Sequence, residues 1–134
     1  MTTLTEAPGL TIAEAAERTG LSQHTLRYYE RDGLMLGEVE RASSGHRRYT
    51  DGDLGWITML TKLRATGMPI REVKAYADLV RAGAGNELAR LQLLTAHRER
   101  VLAQLAAVQE HLGAIDYKIG LYTDLTSSAL EGVG

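Results

Sequence analysis

Residues 21–34 read L-S-Q-H-T-L-R-Y-Y-E-R-D-G-L, and the fold of the front of the chain turns on how this stretch is parsed. The Ser22 hydroxyl can cap a helix N-terminus, and Asp32-Gly33 is a stop, so a helix is predicted over residues 23–31. Leu26 and Tyr29, three apart, share one face of it. Gln23, His24, Thr25, Arg27, Tyr28 and Arg31 lie on the remaining turns. Such a helix can pack on a small core through one side and present polar groups on the other.

Upstream, residues 11–19 form a second short amphipathic segment. Thr11 is its N-cap, Glu14 completes a capping box three residues later, and Ile12, Ala15 and Ala16 are its apolar face. Gly20 ends it, because glycine enters the left-handed conformation at low cost. Two short helices separated by a glycine-centred turn of about three residues match a helix-turn-helix. Downstream, residues 34–49 alternate Leu34, Leu36 and Val39, pass through Ala42-Ser43-Ser44-Gly45 and return as His46-Arg47-Arg48-Tyr49. The expectation is a two-stranded hairpin with a mobile tip. A third helix follows over residues 53–65, capped by Thr50 or Asp51, with Leu54, Ile57, Leu60 and Leu63 inward and Trp56 as its largest group. Gly67-Met68-Pro69 breaks it. A fourth helix runs over about residues 70–82 through Val73, Tyr76, Ala77 and Val80, and Gly83-Ala84-Gly85 is a hinge.

Asn86 is then placed as the cap of one long helix reaching roughly residue 123. Leu91, Leu94, Arg98, Val101, Leu105, Val108, Leu112, Ile115, Ile119 and Tyr122 follow one another at spacings of three and four throughout. A seam this narrow at period 3.5 marks a coiled coil, which a single helix cannot bury against itself. Leu91, Leu94, Val101, Leu105, Val108, Leu112, Ile115 and Ile119 are therefore the dimerisation candidates. Arg98 is read as a snorkelling or register-setting member of the seam.

The whole-chain numbers exclude more than they assign. With no cysteine, disulfides, thiolate metal sites and thiol redox chemistry are ruled out. Residues 1–9 carry no basic segment followed by an apolar run, and nowhere do ~20 apolar residues gather as a membrane span requires. A cytoplasmic protein without membrane partners is expected. A net charge of −2 and a pI near 6.1 argue mildly against a nucleic-acid partner. Residues 18–48 hold six arginines against four acids, a weak local excess. Charge alone leaves the partner open.

The side chains at the start of the second helix are more specific. A recognition helix sets its first-turn residues against base edges while its amides and dipole face phosphate. Gln23, His24 and Thr25, capped by Ser22, occupy that turn, with Arg27, Tyr28 and Arg31 on exposed turns behind them. Arg47, Arg48 and Tyr49 place cations at the end of a hairpin suited to gripping a phosphate backbone. Arg48 alternates to the opposite side of the strand from Arg47 and is equally well read as solvated. Tyr29 is read as core.

The blocks T-I-A-E-A-A-E-R-T-G-L-S (11–22), T-L-R-Y-Y-E-R-D-G-L (25–34), G-H-R-R-Y (45–49) and L-x-x-L-R-x-x-G-M-P-I-R-E-V (60–73) stand in order at matching separations. Together they resemble the DNA-binding half of the MerR family over about residues 10–82. The resemblance implies a mainly α protein: a winged helix-turn-helix DNA-binding domain with a small β-hairpin wing, then a long dimerisation helix forming an antiparallel coiled coil. It further implies that Thr25, Arg27 and Tyr28 touch DNA from the recognition helix, and Arg47 and Tyr49 touch the backbone from the wing. The position of His24 often holds a longer cation in relatives. Family members bind, as homodimers, a palindrome between promoter hexamers set too far apart for RNA polymerase, and bend and untwist that spacer. RNA polymerase is thus an indirect partner. The family's metal and redox sensors use cysteines, and its drug sensors carry a large added domain. This chain resembles the short, cysteine-free members.

The domain expectation is a flexible N-terminus (1–9), the DNA-binding domain (10–82), the coiled-coil helix (86–123) and a flexible tail (124–134). Neither cofactor nor metal is expected: His97 and His111 lie two heptads apart with no carboxylate or thiol cluster beside them. Tyr117 and Tyr122, with Lys118, could line a small effector site, although packing is the commoner reason for such residues. No Ser/His/Asp set, P-loop or paired-acid motif points to an enzyme. Two alternatives stand beside the regulator. One is a protein-interaction adaptor, which would want apolar groups where the second helix has polar ones. The other is an architectural or excision-type DNA-binding protein, a class that usually lacks the long helix.

Overall fold

The computed structural model describes residues 9–37, 40–41 and 47–133, and the chain divides into two compact units, Met1–Leu94 and Thr95–Gly134. The first unit opens with α1 (Ile12–Thr19), started by the predicted capping box. The Thr11 hydroxyl accepts from the Glu14 amide at 3.1 Å, and the Glu14 carboxylate accepts from the Thr11 amide at 2.8 Å. Those hydrogen bonds hold the Glu14 carboxyl below its ordinary range, with smaller contributions from Arg48 and Arg18.

Helix α2 (Gln23–Arg31) begins where the Ser22 hydroxyl accepts from the Thr25 amide at 3.0 Å. It ends in a Schellman-type turn: the Leu34 amide donates to the Tyr29 carbonyl at 2.9 Å. Gly33, at φ 74°, takes the left-handed position this turn needs. Leu34 and Leu36, expected to alternate in a strand, lie outside it. The turn drives Leu34 into the core with no exposed surface and leaves Leu36 exposed. The hairpin reduces to β1 (Glu40–Arg41) and β2 (Arg47–Arg48), antiparallel, with Glu40 opposite Arg48 and Arg41 opposite Arg47. Val39 and the expected tip at residues 42–45 lie outside the described residues, as do residues 1–8 of the expected flexible N-terminus.

Helix α3 (Asp51–Ala65) starts two residues earlier than its apolar pattern suggests, because Thr50 forms a second capping box with Asp53. It packs on α1 and on α4 (Ile70–Arg81). Ala15, Leu26, Leu34, Ile57, Leu60, Met68, Val73 and Ala77 fill the centre at 1% exposure or less. Trp56 donates its indole N–H to the Leu34 carbonyl at 2.7 Å and stacks on Tyr76 with centroids 5.7 Å apart. The hydrogen bond satisfies the one polar atom of the indole inside an apolar site.

The last helix, α5 (Glu87–Val133), does not stop near residue 123. Between Tyr122 and Gly132 there is neither glycine nor proline, and Leu125, Ala129 and Leu130 sustain the turns through the Thr126-Ser127-Ser128 run. Thr126 returns its hydroxyl to the Tyr122 carbonyl at 2.8 Å. Asn86 was expected to cap this helix. It stands at the N-cap position, its carbonyl accepting from the Arg90 amide at 3.1 Å, while its side-chain oxygen accepts from Arg90 Nε at 2.6 Å and its side-chain amide donates to the Leu79 carbonyl at 2.8 Å. Among the described residues no helix is long and apolar enough to cross a membrane.

Candidate nucleic-acid interface

The α2 helix divides cleanly into two faces. Leu26 and Tyr29 are 1% and 6% exposed and pack into the core. Burial pushes the Tyr29 hydroxyl above its ordinary range, opposed by Arg64. Gln23, His24, Arg27 and Arg31 are all exposed. Gln23, Arg27 and Arg31 follow one another at i, i+4, i+8 and make one stripe, with His24 beside it at the N-terminal turn. Arg27 Nη2 donates to Gln23 Oε1 at 3.3 Å, so the two side chains stand together in the free protein. Each can separate to meet a base edge, since amide and guanidinium are the groups that pair with adenine and guanine in a major groove.

Thr25 and Tyr28 are half-buried. The Ser22 and Thr25 hydroxyls lie 3.0 Å apart across the cap. The Tyr28 ring packs against the core and meets Tyr29 at 6.1 Å between centroids, and the Arg31 guanidinium lies 5.8 Å above it. Tyr28 thus combines a packed ring with a partly open edge. Arg31 also reaches Asp32 at 3.3 Å.

The wing is anchored to the end of α2 through Glu30, a residue that sequence reasoning overlooked. Its carboxylate accepts from Arg41 Nη2 on β1 at 3.3 Å and from the Tyr49 hydroxyl at 3.4 Å. Tyr49 was expected to touch a phosphate backbone. At 1% exposure it is instead a core residue, and its backbone exchanges hydrogen bonds with Leu10, both 2.8 Å. Gly9 permits that approach: a Cβ there would stand 2.6 Å from the Tyr49 carbonyl oxygen. Tyr49 therefore seats the base of the wing, and Arg41 on β1 is exposed. Arg48 is half-buried on β2, opposite Glu40, and the backbone of Arg47 pairs with that of Arg41.

In the second unit the expected seam lies open. Leu105, Val108, Leu112, Ile115, Ile119 and Tyr122 are between 51% and 63% exposed, and Val101 is half-buried. Leu91, in the first unit, is exposed too, whereas Leu94 is half-buried against that unit's own core. Tyr117 lines an open depression of about 370 Å³ with Asp116, Gly120, Leu121 and Asp124, but Tyr122 lies on another side of the helix. The two tyrosines do not share a pocket on one helix. His97 is buried, with Nδ1 3.4 Å from Arg100 Nη2, and His111 is exposed. Among the described residues no three His, Asp or Glu side chains gather as a metal site would require.

A capped helix with a polar outer stripe, set after a short helix and braced by a small hairpin, is the arrangement of a winged helix-turn-helix. The MerR HTH family regulatory protein pattern matches residues 10–79, more than half of the chain. The chain belongs to the MerR family. It is a DNA-binding transcriptional regulator rather than an enzyme. A protein of Haemophilus influenzae described as an uncharacterized HTH-type transcriptional regulator is 38% identical over 112 residues, covering 84% of this chain and 82% of that protein. A crystal structure assigned to a MerR-family transcriptional regulator from Listeria monocytogenes superposes with a TM-score of 0.85 at 35% identity, covering 93% of this chain and 94% of that one. HiNmlR, described as a MerR family regulator lacking the sensor domain and solved bound to promoter DNA, gives a TM-score of 0.80 at 35% identity, covering 90% and 94%.

Proposed function

We propose that this MerR-family regulator binds an inverted repeat in promoter DNA as a homodimer, setting the α2 helix of each subunit into successive major grooves. The observation that carries the reading is the exposed stripe of Gln23, Arg27 and Arg31, with His24 beside it, on a helix whose other face is locked into a core. Arg27 and Gln23 read base edges, Ser22 and Thr25 present the capped N-terminus to phosphate, and the arginines of the wing hold the backbone. The likeness to HiNmlR, solved on promoter DNA, supports the same partner here.

Dimerisation follows from the apolar seam of α5, which pairs with a second copy in antiparallel fashion from Val101 through Ile119. A two-fold protein calls for a two-fold operator, with half-site centres separated by about one helical turn, ~34–36 Å, or a multiple of it. The dimer bends and untwists the promoter spacer, and reaches RNA polymerase through the DNA rather than by a dedicated docking face. The adaptor reading is disfavoured because the outer face of α2 carries no aliphatic side chain. The domain division proposed is residues 10–82 for DNA and α5 for pairing. Any inducer acts at the α5 pair, where Tyr117 and Tyr122 lie on different sides of each helix.

The test is to pass random genomic fragments over the purified protein and sequence those retained. An inverted repeat within an overlong promoter spacer is the expected result. Enrichment of unrelated fragments in proportion to their length alone would overturn the reading.

A further inference from the structure

The segment that leaves the recognition helix is held by an unusual set of side-chain donors. Three consecutive carbonyls, those of Gly33, Leu34 and Met35, each accept from a side chain of a distant helix. Arg81 Nη1 donates to Gly33 O and to Met35 O, both at 2.6 Å, and Trp56 Nε1 donates to Leu34 O between them. Arg81 Nη2 pairs with Asp78 on the same helix, which fixes the plane of the guanidinium. Lys74 of α4 adds a looser contact to Asp32 at 3.8 Å. Arg81 is the last residue of α4, 48 positions from Gly33, and nothing in the local pattern demands it.

Immediately beyond Arg81 the chain turns through Gly83 and Gly85, both at positive φ, into the first turns of α5. That corner is also tied by side chains. Arg90 donates to the Gly83 carbonyl and to Asn86 Oδ1, and Asn86 donates to the Leu79 carbonyl. The Gly85 amide donates to Glu87, whose carboxyl is lowered by hydrogen bonds from its own amide and that of Gly85. A glycine hinge that would otherwise flex is bracketed by two arginines, each bound to backbone carbonyls. Arg90 and Asn86 at the start of α5 thus bind the carbonyls of Gly83 and Leu79, each two residues along the backbone from Arg81, whose own side chain binds the exit of α2.

We infer that Arg81 is a positioning residue for DNA reading, fixing the pose of α2 against the corner that leads into the dimer helix and so setting which half-site spacing the dimer accepts. The inference rests on the proposed homodimer on an inverted repeat. A guanidinium suits the task because its N–H groups form a rigid fork that can meet two carbonyls and a carboxylate at once. The ammonium of lysine is a flexible point donor and does not reproduce that geometry. With the arginine arm gone, α2 keeps its cap and its core face but loses its fixed relation to the α4–α5 corner.

The experiment compares the full-length chain with Arg81→Gln and Arg81→Lys on duplexes carrying the retained inverted repeat, the same repeat with one or two base pairs inserted at its centre, and one half-site alone. Wild type is expected to lose on the order of tenfold in affinity per inserted base pair, the scale of one misplaced base contact. Arg81→Gln should flatten that dependence to within about threefold while half-site affinity and salt slope stay as in wild type. Arg81→Lys should resemble the glutamine variant, not wild type. Hydrogen exchange at residues 33–37 should rise in both variants with the rest of the first unit still protected. An equal loss at every spacing, a shallower salt slope, or full rescue by lysine would overturn the inference. If wild type retains no inverted repeat, the function proposed above fails instead, and unchanged exchange at residues 33–37 would still refute the arginine clamp by itself.

Discussion

The two units of this chain carry the same kinds of apolar residue to opposite ends. Up to Leu94, apolar side chains close over one another until nine of those described, six of them leucine, isoleucine, valine or methionine, have 1% exposure or less. From Thr95 onward, Leu105, Val108, Leu112, Ile115 and Ile119 each keep more than half of their surface exposed. Composition does not separate the two regions; periodicity does. Where apolar positions switch between helices joined by short turns, the chain can fold back and bury them. Where they repeat at 3.5 along one uninterrupted helix, only another helix can cover them. The first unit buries its apolar groups within one chain, whereas those of the second stay open and are, in the proposed dimer, covered by a second copy.

Three variants probe that contrast, in descending order of effect. Val101→Asp with Leu105→Asp should convert the protein to a monomer by sedimentation velocity and abolish operator binding at concentrations where wild type saturates. Circular dichroism should show the first unit still folded, and a variant that still sediments as a dimer would remove these positions from the seam. Trp56→Ala strikes the other side of the comparison. It deletes a buried ring and leaves the Leu34 carbonyl without its donor, so unfolding should become easier by about 3–5 kcal/mol. The loss should be read from the first unit's own transition and should not depend on protein concentration; a concentration-dependent loss would show that the first unit is not self-sufficient. Arg27→Ala touches neither core nor seam. Operator affinity should fall by ~1–3 kcal/mol in a titration, with thermal stability and dimer mass unchanged.

The sequence made the self-contained parts of the first unit readable. Thr11, Ser22 and Thr50 mark three helix starts because capping is local chemistry, settled within three residues. The exposed face of α2 and the open apolar row of α5 were likewise visible, since both are set by helical spacing. What escaped depends on residues far apart. Tyr49 looked like a wing contact because its pairing with Leu10 and its bond to Glu30 leave no trace in the pattern around residues 45–49. Arg81 drew no notice because its acceptors, Gly33 and Met35, lie more than 40 positions away. Leu94 fitted the 3-4 spacing as well as its neighbours, and only packing assigns it to the first unit. The end of α5 was set too early because the seam runs out at Tyr122 while helix propensity carries on to Val133.

The most direct measurement is the mass of the protein–DNA complex formed on a retained fragment, by sedimentation at concentrations near the midpoint of binding. The account predicts two chains on each duplex carrying an inverted repeat, with no species holding one chain at appreciable population. A complex of one chain per duplex, or a steady climb in mass with added protein, would contradict it.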